Sequence, residues 1–517
     1  MRKFIKKFCR VFLSRYSLSA TMILAEVLLI AYLIFGSGEP VYVLLPLSVI
    51  LTVGTLLHLI NKDTNPEYKV AWIFIILVLI PVGSILYMLF YHRRMSKREA
   101  RLLGGIFDML SVRRTEEKRD ALEELSHTDP SAAGKARAIM ADYALAEVFC
   151  DTSSTFFASG EEYFEHLLED IRSAKEYVFL EYFIIDEGEL WSEIHTVLRE
   201  KAAQGVDVRV LYDDIGCMKT LPPTYELSLR REGIRAQRFA RVSPRVSAVH
   251  HNRDHRKICV VDGRVGYTGG VNIADEYVNR VSRFGHWKDG GIRLEGLAVA
   301  GLLKLFISSW DFTTGSVSDY EILLNSTRPA TNPDNGYYIP FGSGPSPIFS
   351  SPVGKNVFLN VINQAESYVY ITTPYLIIDY DLTVALRNAA LRGVDVRIVT
   401  PAVADKRIVK VMTKSAYPGL MSAGVRIYEY TPGFIHEKTL VSDGKYAVIG
   451  TINFDYRSLV HHFEDAVWIY GAPVVADAHR AFSETLELSR QMDEESARLN
   501  VLERILKSVN QLFAPLL

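Results

Sequence analysis

The sequence predicts an α/β protein in which two tandem copies of one α/β/α domain follow a group of apolar N-terminal helices. Three observations support this fold class: long apolar stretches in the first 100 residues, alternating strand-like and helix-like patterns after residue 146, and a second such region that repeats the first 188 to 191 residues later. Alternating strands and helices indicate a mainly parallel sheet with helices packed on it. The same order of elements in two regions indicates a duplicated domain with pseudo-twofold symmetry.

The predicted domain organisation has five parts. In the last part apolar residues recur at helical spacing, which is typical of a helix that lies on a bilayer or packs on a protein surface. The parts are a membrane anchor with two to three apolar helices at 1–100, a helical connector at 101–145, the first α/β/α domain at 146–345, the second at 346–500, and an amphipathic C-terminal helix at 501–517.

The anchor contains three apolar stretches, at 18–35, 41–60 and 70–91. Each is close to the ~20 residues that cross a bilayer as a helix. Basic clusters precede the first stretch and follow the third, and both clusters should be cytoplasmic because cytoplasmic segments carry the excess of Lys and Arg. We therefore favour two spans, with the first stretch, which contains Glu26, interfacial or re-entrant; three spans with an external N-terminus is the alternative. This predicts a multi-pass protein of the cell membrane with both α/β/α domains on the cytoplasmic side.

The formal net charge of −2 combines two unlike parts. Residues 1–101 contain 13 Lys and Arg against 5 Asp and Glu, a net charge of +8, so the remaining residues carry −10. An acidic body disfavours nucleic-acid binding, which uses a basic groove. The four cysteines form no CxxC pair or Cys/His cluster, so the sequence gives no indication of a zinc site.

The duplicated regions agree segment by segment. The first matched pair consists of β-branched and aromatic runs, which predict buried strands. The second and third pairs each have a glycine turn that leads into a further strand, with a helical pattern before it. The matched pairs are 177–186 with 368–379, 205–212 with 393–400, and 233–235 with 424–426.

Each copy then carries an H-x-K-x4-D pattern followed by a glycine-containing turn and an Asn. The His and Lys share one face because residues i and i+2 of a strand point the same way. This pair suits a phosphate, since Lys supplies positive charge and His can attack phosphorus or move a proton. The Asn amide can donate to a phosphoryl oxygen. The candidate residues are His255, Lys257, Asp262 and Asn272 in the first copy, and His436, Lys438, Asp443 and Asn453 in the second.

Two further pairs of acids follow from aligning the copies. Asp262 and Asp443 belong to the motif, but each lies five residues after its Lys, which places it on the opposite strand face and favours a structural role. Asp289 and Glu464 each lie just before a predicted strand. Each half therefore offers an acid that could accept a hydrogen bond from a histidine ring and select its tautomer. The alternative is an ordinary surface acid at the start of a strand.

These motifs resemble those of the phospholipase D superfamily and, within it, the bacterial cardiolipin synthases. The resemblance covers nearly the whole chain, including the N-terminal apolar stretches and the tail at 512–517. The segments that carry it are 254–257, 262–264, 267–277 and 286–289 in the first copy, and 432–438, 450–458 and 462–464 in the second.

The resemblance implies a function and roles for the candidate residues. Two phosphatidylglycerol molecules would give cardiolipin and glycerol through a phosphohistidine, without metal or cofactor. The partners would be phosphatidylglycerol, cardiolipin and the bilayer, and no nucleic acid. The residues leave the choice of nucleophile open; the resemblance favours His255, with His436 as acid and base. The lysines and asparagines of both copies would stabilise charge on the phosphoryl oxygens.

Two positions depart from the superfamily pattern. His462 stands where an Asn is usual, and we assign it no catalytic role. Glu437 lies between His436 and Lys438, where strand alternation should point it away from the site.

Three alternatives use other features of the sequence. A phospholipase D-type hydrolase or a phosphatidylserine synthase would share the site but use water or serine as acceptor. A superfamily nuclease would need a basic groove, and the charge of the body disfavours it. A non-catalytic membrane scaffold would not require two intact H-x-K pairs.

Overall fold

The computed structural model describes residues 39–62, 66–90, 97–111, 120–241, 252–346 and 349–513. The predicted apolar stretch at 18–35 lies outside the described residues. The chain divides into two compact units, which we treat separately. The smaller unit contains residues 1–94, 242–250 and 508–517, and the larger contains 95–241 and 251–507.

Among its described residues, the smaller unit contains three whole helices, α1 (Glu39–Ile60), α2 (Pro66–Val78) and α3 (Val82–Phe90), and the last residues of a fourth, 508–513. The predicted continuous stretch at 70–91 is therefore divided between α2 and α3. Pro81 lies at the division, where it has no N–H to donate to a helix. Trp72 of α2 and Tyr87 of α3 pack edge to face with ring centroids 5.4 Å apart. In the parts of the chain that the structure covers, no helix combines the length and apolar character needed to cross a membrane.

The larger unit contains the duplicated α/β region. Its described helices are α4 (Lys97–Ser111), α5 (Ala121–Thr128), α6 (Pro130–Asp142), α7 (Gly160–Ser173), α8 (Glu189–Ala203), α9 (Tyr225–Arg231), α10 (Val299–Thr314), α11 (Tyr320–Asn325), α12 (Val353–Asn363), α13 (Tyr380–Leu391), α14 (Arg407–Met421) and α15 (Val474–Glu487), with a 3₁₀ turn at Asp275–Val278 and a π turn at Arg457–His461. The last helix, α16 (Val501–Phe513), begins in this unit, and its residues 508–513 belong to the smaller one.

The strands of the first copy are β1 (Thr152–Phe157), β2 (Tyr177–Tyr182), β3 (Asp207–Asp213), β4 (Arg235–Phe239), β5 (Lys257–Val261), β6 (Val265–Gly269), β7 (His286–Lys288) and β8 (Gly291–Gly296). Those that follow are β9 (Tyr337–Ser343), β10 (Tyr368–Thr372), β11 (Leu376–Ile377), β12 (Asp395–Pro401), β13 (Arg426–Tyr430), β14 (Gly433–Ile435), β15 (Thr439–Ser442), β16 (Tyr446–Gly450), β17 (Phe454–Asp455), β18 (Glu464–Tyr470) and β19 (Ser489–Gln491).

The two main sheets have the same topology. The first has the order β1-β8-β6-β5-β2-β3-β4, and the second has β9-β18-β16-β15-β10-β12-β13 with β19 added at the edge. Equivalent strands occupy equivalent places, so the predicted duplication is present in the fold. β9 begins the second copy as β1 begins the first, since each pairs antiparallel with the equivalent strand of its own copy, β1 with β8 and β9 with β18. The second copy therefore starts before residue 346, the predicted boundary.

Only part of each sheet is parallel, which corrects the prediction of a mainly parallel sheet. β2, β3 and β4 are parallel, as are β10, β12 and β13, because helical crossovers connect them. The strands that carry the motif lysine and its apolar continuation form hairpins, β5 with β6 and β15 with β16. A hairpin turn forces its strands to be antiparallel.

The two copies share one apolar core within the larger unit. The cluster includes Phe179 of β2, Phe306 of the buried helix α10, Phe341 of β9 and Trp468 of β18. Phe179 and Phe306 stack with centroids 4.8 Å apart. Helix α10 is apolar or buried on nearly all sides, as expected for a helix enclosed between layers.

Candidate active site

Backbone pairing between the two copies positions the motif histidines. β7 of the first copy pairs parallel with β14 of the second. The backbone N–H of His436 donates to the carbonyl of Lys288 at 2.7 Å. On the other side of the site, the N–H of His255 donates to the carbonyl of Phe463 at 2.8 Å. Each histidine is thus held by the residue that precedes an acid of the opposite copy.

These backbone contacts create two histidine–carboxylate pairs that cross between the copies. His255 Nδ1 lies 2.9 Å from Glu464 Oε2. His436 Nδ1 lies 2.7 Å from Asp289 Oδ2. The sequence comparison allotted one acid to each half, but in the structure each acid contacts the histidine of the other half. The site is therefore built from both copies.

The pairing of each histidine with a carboxylate determines which of its ring nitrogens can react with a substrate. With Nδ1–H donating to the carboxylate, Nε2 carries the lone pair that can act on a substrate. Burial lowers the pKa of His255 to about 3, although Glu464 acts in the opposite direction. Burial and Lys438 lower the pKa of His436 to about 4. Both rings are therefore neutral at pH 7, and a neutral imidazole is the nucleophilic form.

The two carboxylates are held ionised by different surroundings. Glu464 accepts hydrogen bonds from the hydroxyls of Thr451 and Ser458, both at 2.5 Å. Burial acts to raise the pKa of Glu464, but His255 and His462 outweigh it and hold the pKa well below its usual range. For Asp289, burial is likewise outweighed by His436 and Lys438, and the pKa is lowered.

A glycine explains why the two carboxylate environments differ. A Cβ on Gly270 would lie 2.0 Å from Asp289 Oδ1, so a side chain there would displace the carboxylate. Thr451 occupies the equivalent position of the second copy and donates to the longer Glu464. Sequence reasoning missed Thr451 and Ser458; the Gly-Gly against Gly-Thr difference between the copies was the available signal.

Both motif lysines are buried beside their histidines. Lys257 Nζ donates to the carbonyl oxygen of His255 at 2.6 Å. Lys438 Nζ donates to the carbonyl of His436 and lies 2.9 Å from its Nδ1. Burial lowers the pKa of Lys257 to about 8, and burial together with Lys257 lowers that of Lys438 to about 7. Each ammonium has three donors, so donors remain for an anion that enters the site.

The two motif asparagines lie in unequal surroundings. Asn272 Oδ1 accepts from the N–H of Ile184 at 3.0 Å, and its Nδ2 donates to the hydroxyl of Tyr277 at 2.8 Å. Asn453 is buried, and its Oδ1 has no hydrogen-bond partner among the described residues. Because the O and N of an amide are assigned from their contacts, Asn453 can present either atom to a ligand.

Asp262 and Asp443 lie at the opposite ends of the strands from the histidines. Lys257 is level with Tyr182 at the carboxyl end of β2, whereas the N–H of Asp262 donates to Tyr177 at its start. Five strand residues correspond to about 16 Å. The Asp262 carboxylate accepts three backbone N–H groups at the start of β2, and Asp443 accepts three before β10. These contacts favour the structural role expected from strand alternation.

Replacement of Asp262 by Asn should therefore lower stability. The amide has no charge to hold three N–H donors, and loss of these bonds should lower the free energy of unfolding by about 1–3 kcal/mol. Asn, like Asp, can adopt the φ of +52° that residue 262 has in this turn, so the backbone should not be strained. Thermal unfolding of the full chain in detergent measures the effect. Glu176→Gln, an exposed change beside the same turn, is the control; equal unfolding temperatures for the two variants would refute the assignment.

His462 and Glu437, to which the sequence assigns no catalytic role, have defined contacts in the structure. The His462 ring lies 5.6 Å from the His255 ring, and its Nδ1 is 3.7 Å from Glu464 Oε1. His255, His462 and Glu464 offer ligand atoms within 4.8 Å of one another and could together hold a metal ion. Glu437 contacts Lys288 Nζ at 2.8 Å, so its charge is compensated on the strand face away from the site, as alternation predicts.

The comparisons with known proteins agree with this geometry. The family described as "Cardiolipin synthase, PLD-like domain" matches residues 167–282 and 358–486, and "Phospholipase_D-nuclease N-terminal" matches 50–90. An uncharacterized protein of Streptococcus mutans is 37% identical over 477 residues, covering 90% of this chain and 100% of that one. A cardiolipin synthase of Halalkalibacterium halodurans is 33% identical over 482 residues, covering 92% of this chain and 93% of that one.

Structural similarity supports the same fold. The crystal structure of a phosphatidylserine synthase from Haemophilus influenzae Rd KW20 superposes with a TM-score of 0.56 at 13% identity, covering 74% of this chain and 98% of that one. The fold and the doubled His-Lys site define a phospholipase D-like protein with two fused copies of the domain. Within that class, the chain belongs to the cardiolipin synthase family.

Proposed function

We propose that this chain transfers the phosphatidyl group of one phosphatidylglycerol molecule to a hydroxyl of a second, forming cardiolipin and releasing glycerol. The observation that carries the proposal is the crossed pair of His–carboxylate contacts beside two buried lysines. One histidine can act as nucleophile while the other transfers protons. Relatives named cardiolipin synthase, with 33% identity over 92% of this chain, support the same substrates.

In the first step His255 Nε2 attacks the phosphorus of phosphatidylglycerol. The bond between phosphorus and the glycerol oxygen breaks, and His436 donates a proton to that oxygen. Glu464 stabilises the positive charge that the His255 ring acquires as the phosphorus–nitrogen bond forms. His436 is neutral in the free protein, and the negative charge of a bound phosphate favours its protonation.

In the second step a hydroxyl of another phosphatidylglycerol gives its proton to His436 and attacks the phosphorus. The phosphorus–nitrogen bond breaks, which restores neutral His255 and releases cardiolipin. His436 is again protonated and can serve the next cycle. Asp289 stabilises His436 in its charged form.

The lysines and asparagines are proposed to bind the phosphoryl oxygens. Lys257 and Lys438 each have ammonium donors beyond those bound to protein carbonyls. Negative charge grows on these oxygens as the nucleophile approaches, and fixed donors in a buried site stabilise it strongly. Asn272 and Asn453 complete the set with amide donors.

The pH dependence of the reaction should report the two lysines. A lysine is charged below its pKa, so the phosphate-binding charges are lost as the pH rises through about 7 for Lys438 and about 8 for Lys257. We expect kcat/KM, which reports the free protein, to fall on this alkaline side. In Lys438→Arg the first decline should disappear, because guanidinium stays charged. If kcat/KM of that variant still fell in the same way above about pH 7, the decline could not be assigned to Lys438.

We further propose that helices α1 to α3 attach the chain to the cell membrane, as a multi-pass anchor with both α/β copies on the cytoplasmic side. Apolar side chains are largely exposed along these helices, and an acyl layer would cover them. The basic residues within 93–101 favour the cytoplasm for the segment that follows α3. The exposed apolar residues include Leu47, Ile50, Leu57 and Ile60 of α1, Val70 and Leu77 of α2, and Met88 of α3.

The function is tested with purified full-length protein and phosphatidylglycerol labelled in the phosphatidyl and glycerol groups, with a chelator present. Cardiolipin and free glycerol in equal amounts support the proposal. Phosphatidic acid as the main product would indicate a hydrolase. Phosphatidylserine formed on addition of serine would indicate a phosphatidylserine synthase, with serine as the acceptor. The double variant His255→Ala, His436→Ala controls for contaminating activity.

A further inference from the structure

Exposed apolar side chains lie on three segments of the larger unit, two loops and one loop that continues into the first turn of α14, close to the candidate site. We call them the site rim: Ile215, Met218, Val281, Val403 and Ile408. Their exposed fractions among the described residues are 37%, 60%, 52%, 39% and 55%. By contrast, His255 and His436 are only 7% and 6% exposed. A substrate must therefore pass the surface around the histidines before it reaches them.

The first loop packs against the ring that covers His255. A Cβ on Gly216 would lie 2.1 Å from the Phe183 carbonyl, so the loop runs directly over this residue. Cys217 Sγ donates to the same carbonyl at 3.5 Å. The Phe183 ring in turn lies 4.9 Å from the His255 ring. Ile215 and Met218 therefore belong to a loop whose Gly216 and Cys217 lie against Phe183, and the Phe183 ring contacts the ring of the proposed nucleophile.

The second loop has the equivalent place in the other copy. Asp405 accepts a hydrogen bond from the Tyr375 hydroxyl at 2.7 Å. The Tyr375 ring lies 6.5 Å from Phe434, and Phe434 lies 6.0 Å from His436. Val403 lies in this loop before Asp405, and Ile408 lies after it in the first turn of α14.

The third loop approaches His436 from the first copy. Phe284, three residues after Val281, lies with its ring 6.4 Å from Trp287. Trp287 lies 5.6 Å from His436 and 4.9 Å from Phe434. Aromatic side chains thus connect all three segments to the histidine site, and each segment carries exposed apolar residues.

Basic residues accompany these apolar side chains. Lys219 follows Met218, and Lys406 and Arg407 precede Ile408; all three are exposed. This is an exception in a body whose net charge is negative. Apolar groups that enter the acyl boundary and cations that contact phosphates are the features of a surface that binds anionic membranes.

We propose that the site rim docks on the surface of a bilayer that contains anionic phospholipid, and that this contact delivers the lipid phosphate to the histidines. The inference rests on the proposed function, because it takes membrane phospholipid as the substrate. Docking at the rim shortens the distance that a headgroup must leave the bilayer. It also gives the acidic body a local attraction for an anionic surface.

Two sets of variants, placed at opposite ends of the sheet strands, test the proposal. The rim variant is Met218→Ser, Val403→Ser, Ile408→Ser. The control is Val317→Ser, Ile322→Ser, Leu391→Ser, whose residues are 67%, 68% and 67% exposed. The control residues lie near the amino ends of the strands: Ser318 contacts Arg209 of β3, Ser326 contacts Tyr177 of β2, and α13 ends at Leu391 before β12.

The first readout is the rate of cardiolipin formation from phosphatidylglycerol bilayers divided by the rate from monomeric short-chain phosphatidylglycerol. With full-length protein in vesicles, this ratio should fall by about tenfold or more in the rim variant, since binding to a bilayer scales with the apolar area that enters it. It should stay within about twofold in the control, whose changes are exposed and distant. An unchanged ratio in the rim variant, or equal loss of both rates, would overturn the proposal.

The second readout does not require activity. A fluorophore attached at Met218→Cys, in a Cys9→Ser, Cys150→Ser background, should be quenched by brominated lipid in vesicles containing phosphatidylglycerol. It should be quenched less in vesicles of phosphatidylcholine alone, and the same probe at Leu391→Cys should be quenched in neither. Absence of quenching at residue 218 would exclude docking even if cardiolipin is formed. Quenching without cardiolipin formation would instead reject the proposed function and retain the membrane surface.

Discussion

A covalent phosphatidyl adduct should accumulate in His436→Ala and be absent in His255→Ala, although each variant should lose cardiolipin formation by ~10⁴-fold or more. Without His255 the ring nitrogen that Glu464 orients for attack on phosphorus is lost. Without His436 the attack is slowed but the adduct, once formed, has no base to activate the second phosphatidylglycerol. Labelled phosphatidylglycerol, rapid denaturation in alkali and mass analysis of peptides measure the adduct, since a phosphorus–nitrogen bond is labile in acid.

The comparison of the two variants carries its own controls. His166→Ala removes an exposed histidine of α7 that contacts the Glu162 carbonyl, and it should behave as the parent protein. An adduct on His436 in the His255→Ala variant, with none in the reverse case, would exchange the two roles. No adduct in either variant or in the parent during turnover would contradict covalent catalysis.

The histidines and lysines could be predicted because the duplication marks them twice. A single H-x-K pair on an apolar strand is weak evidence of a site. Two pairs at equivalent points of a repeated domain require that both copies preserve the same local arrangement, and the structure places both pairs at the carboxyl ends of equivalent strands, β2 and β10. Strand alternation also predicted that Asp262 would lie away from the site and that Glu437 would face elsewhere.

The sequence repeat does not predict that each carboxylate contacts the histidine of the other copy. Alignment of the copies shows only that each has one acid, and nearest-in-sequence reasoning assigns it to its own half. The crossing follows from pairing of β7 with β14 and from the contact of Asp254 with Phe463, which join segments far apart in the chain. Such contacts depend on how two folded halves meet, and no local pattern in either half records them.

The direction of the motif strands was missed for a different reason. Buried parallel and antiparallel strands have similar apolar composition, so the pattern of β5 and β6 does not distinguish them. The turn does: Asp262 and Gly263 both have positive φ, which closes a tight hairpin. The Asp-Gly pair at 262–263 and again at 443–444 was therefore a usable signal for an antiparallel connection.

The difference between the two carboxylate environments bears on the choice of nucleophile. Glu464 has two hydroxyl donors in addition to His255, whereas Asp289 has His436, the N–H of Gly290, the Trp287 indole N–H at 3.5 Å and the nearby Lys438. A carboxylate held firmly ionised stabilises the permanent positive charge of a phosphorylated ring. This arrangement is consistent with His255 as the nucleophile and His436 as the group that gains and loses protons.

Glu464→Gln should lower the rate of adduct formation by roughly 10²–10⁴-fold, although Glu464 and His255 belong to different copies of the domain. A glutamine amide can leave His255 with the proton on Nε2, the tautomer that cannot attack, and it supplies no charge to balance the imidazolium. Asp289→Asn should instead slow the consumption of the adduct as well as its formation, because it acts on His436, which transfers a proton in each step. Single-turnover measurements with labelled phosphatidylglycerol separate the two steps.

The adjacent buried acid provides the matched control for the crossed contacts. Asp465 follows Glu464 and is equally buried, but its Oδ2 accepts from Thr268 at 2.6 Å and it contacts neither histidine through a hydrogen bond. Asp465→Asn should therefore change the rate of adduct formation far less than Glu464→Gln. If the acids served the histidines of their own halves, Glu464→Gln would slow the consumption of the adduct and Asp289→Asn would slow only its formation. A double variant, Glu464→Gln with His255→Ala, should lose no more activity than His255→Ala alone, because the two residues act as one unit.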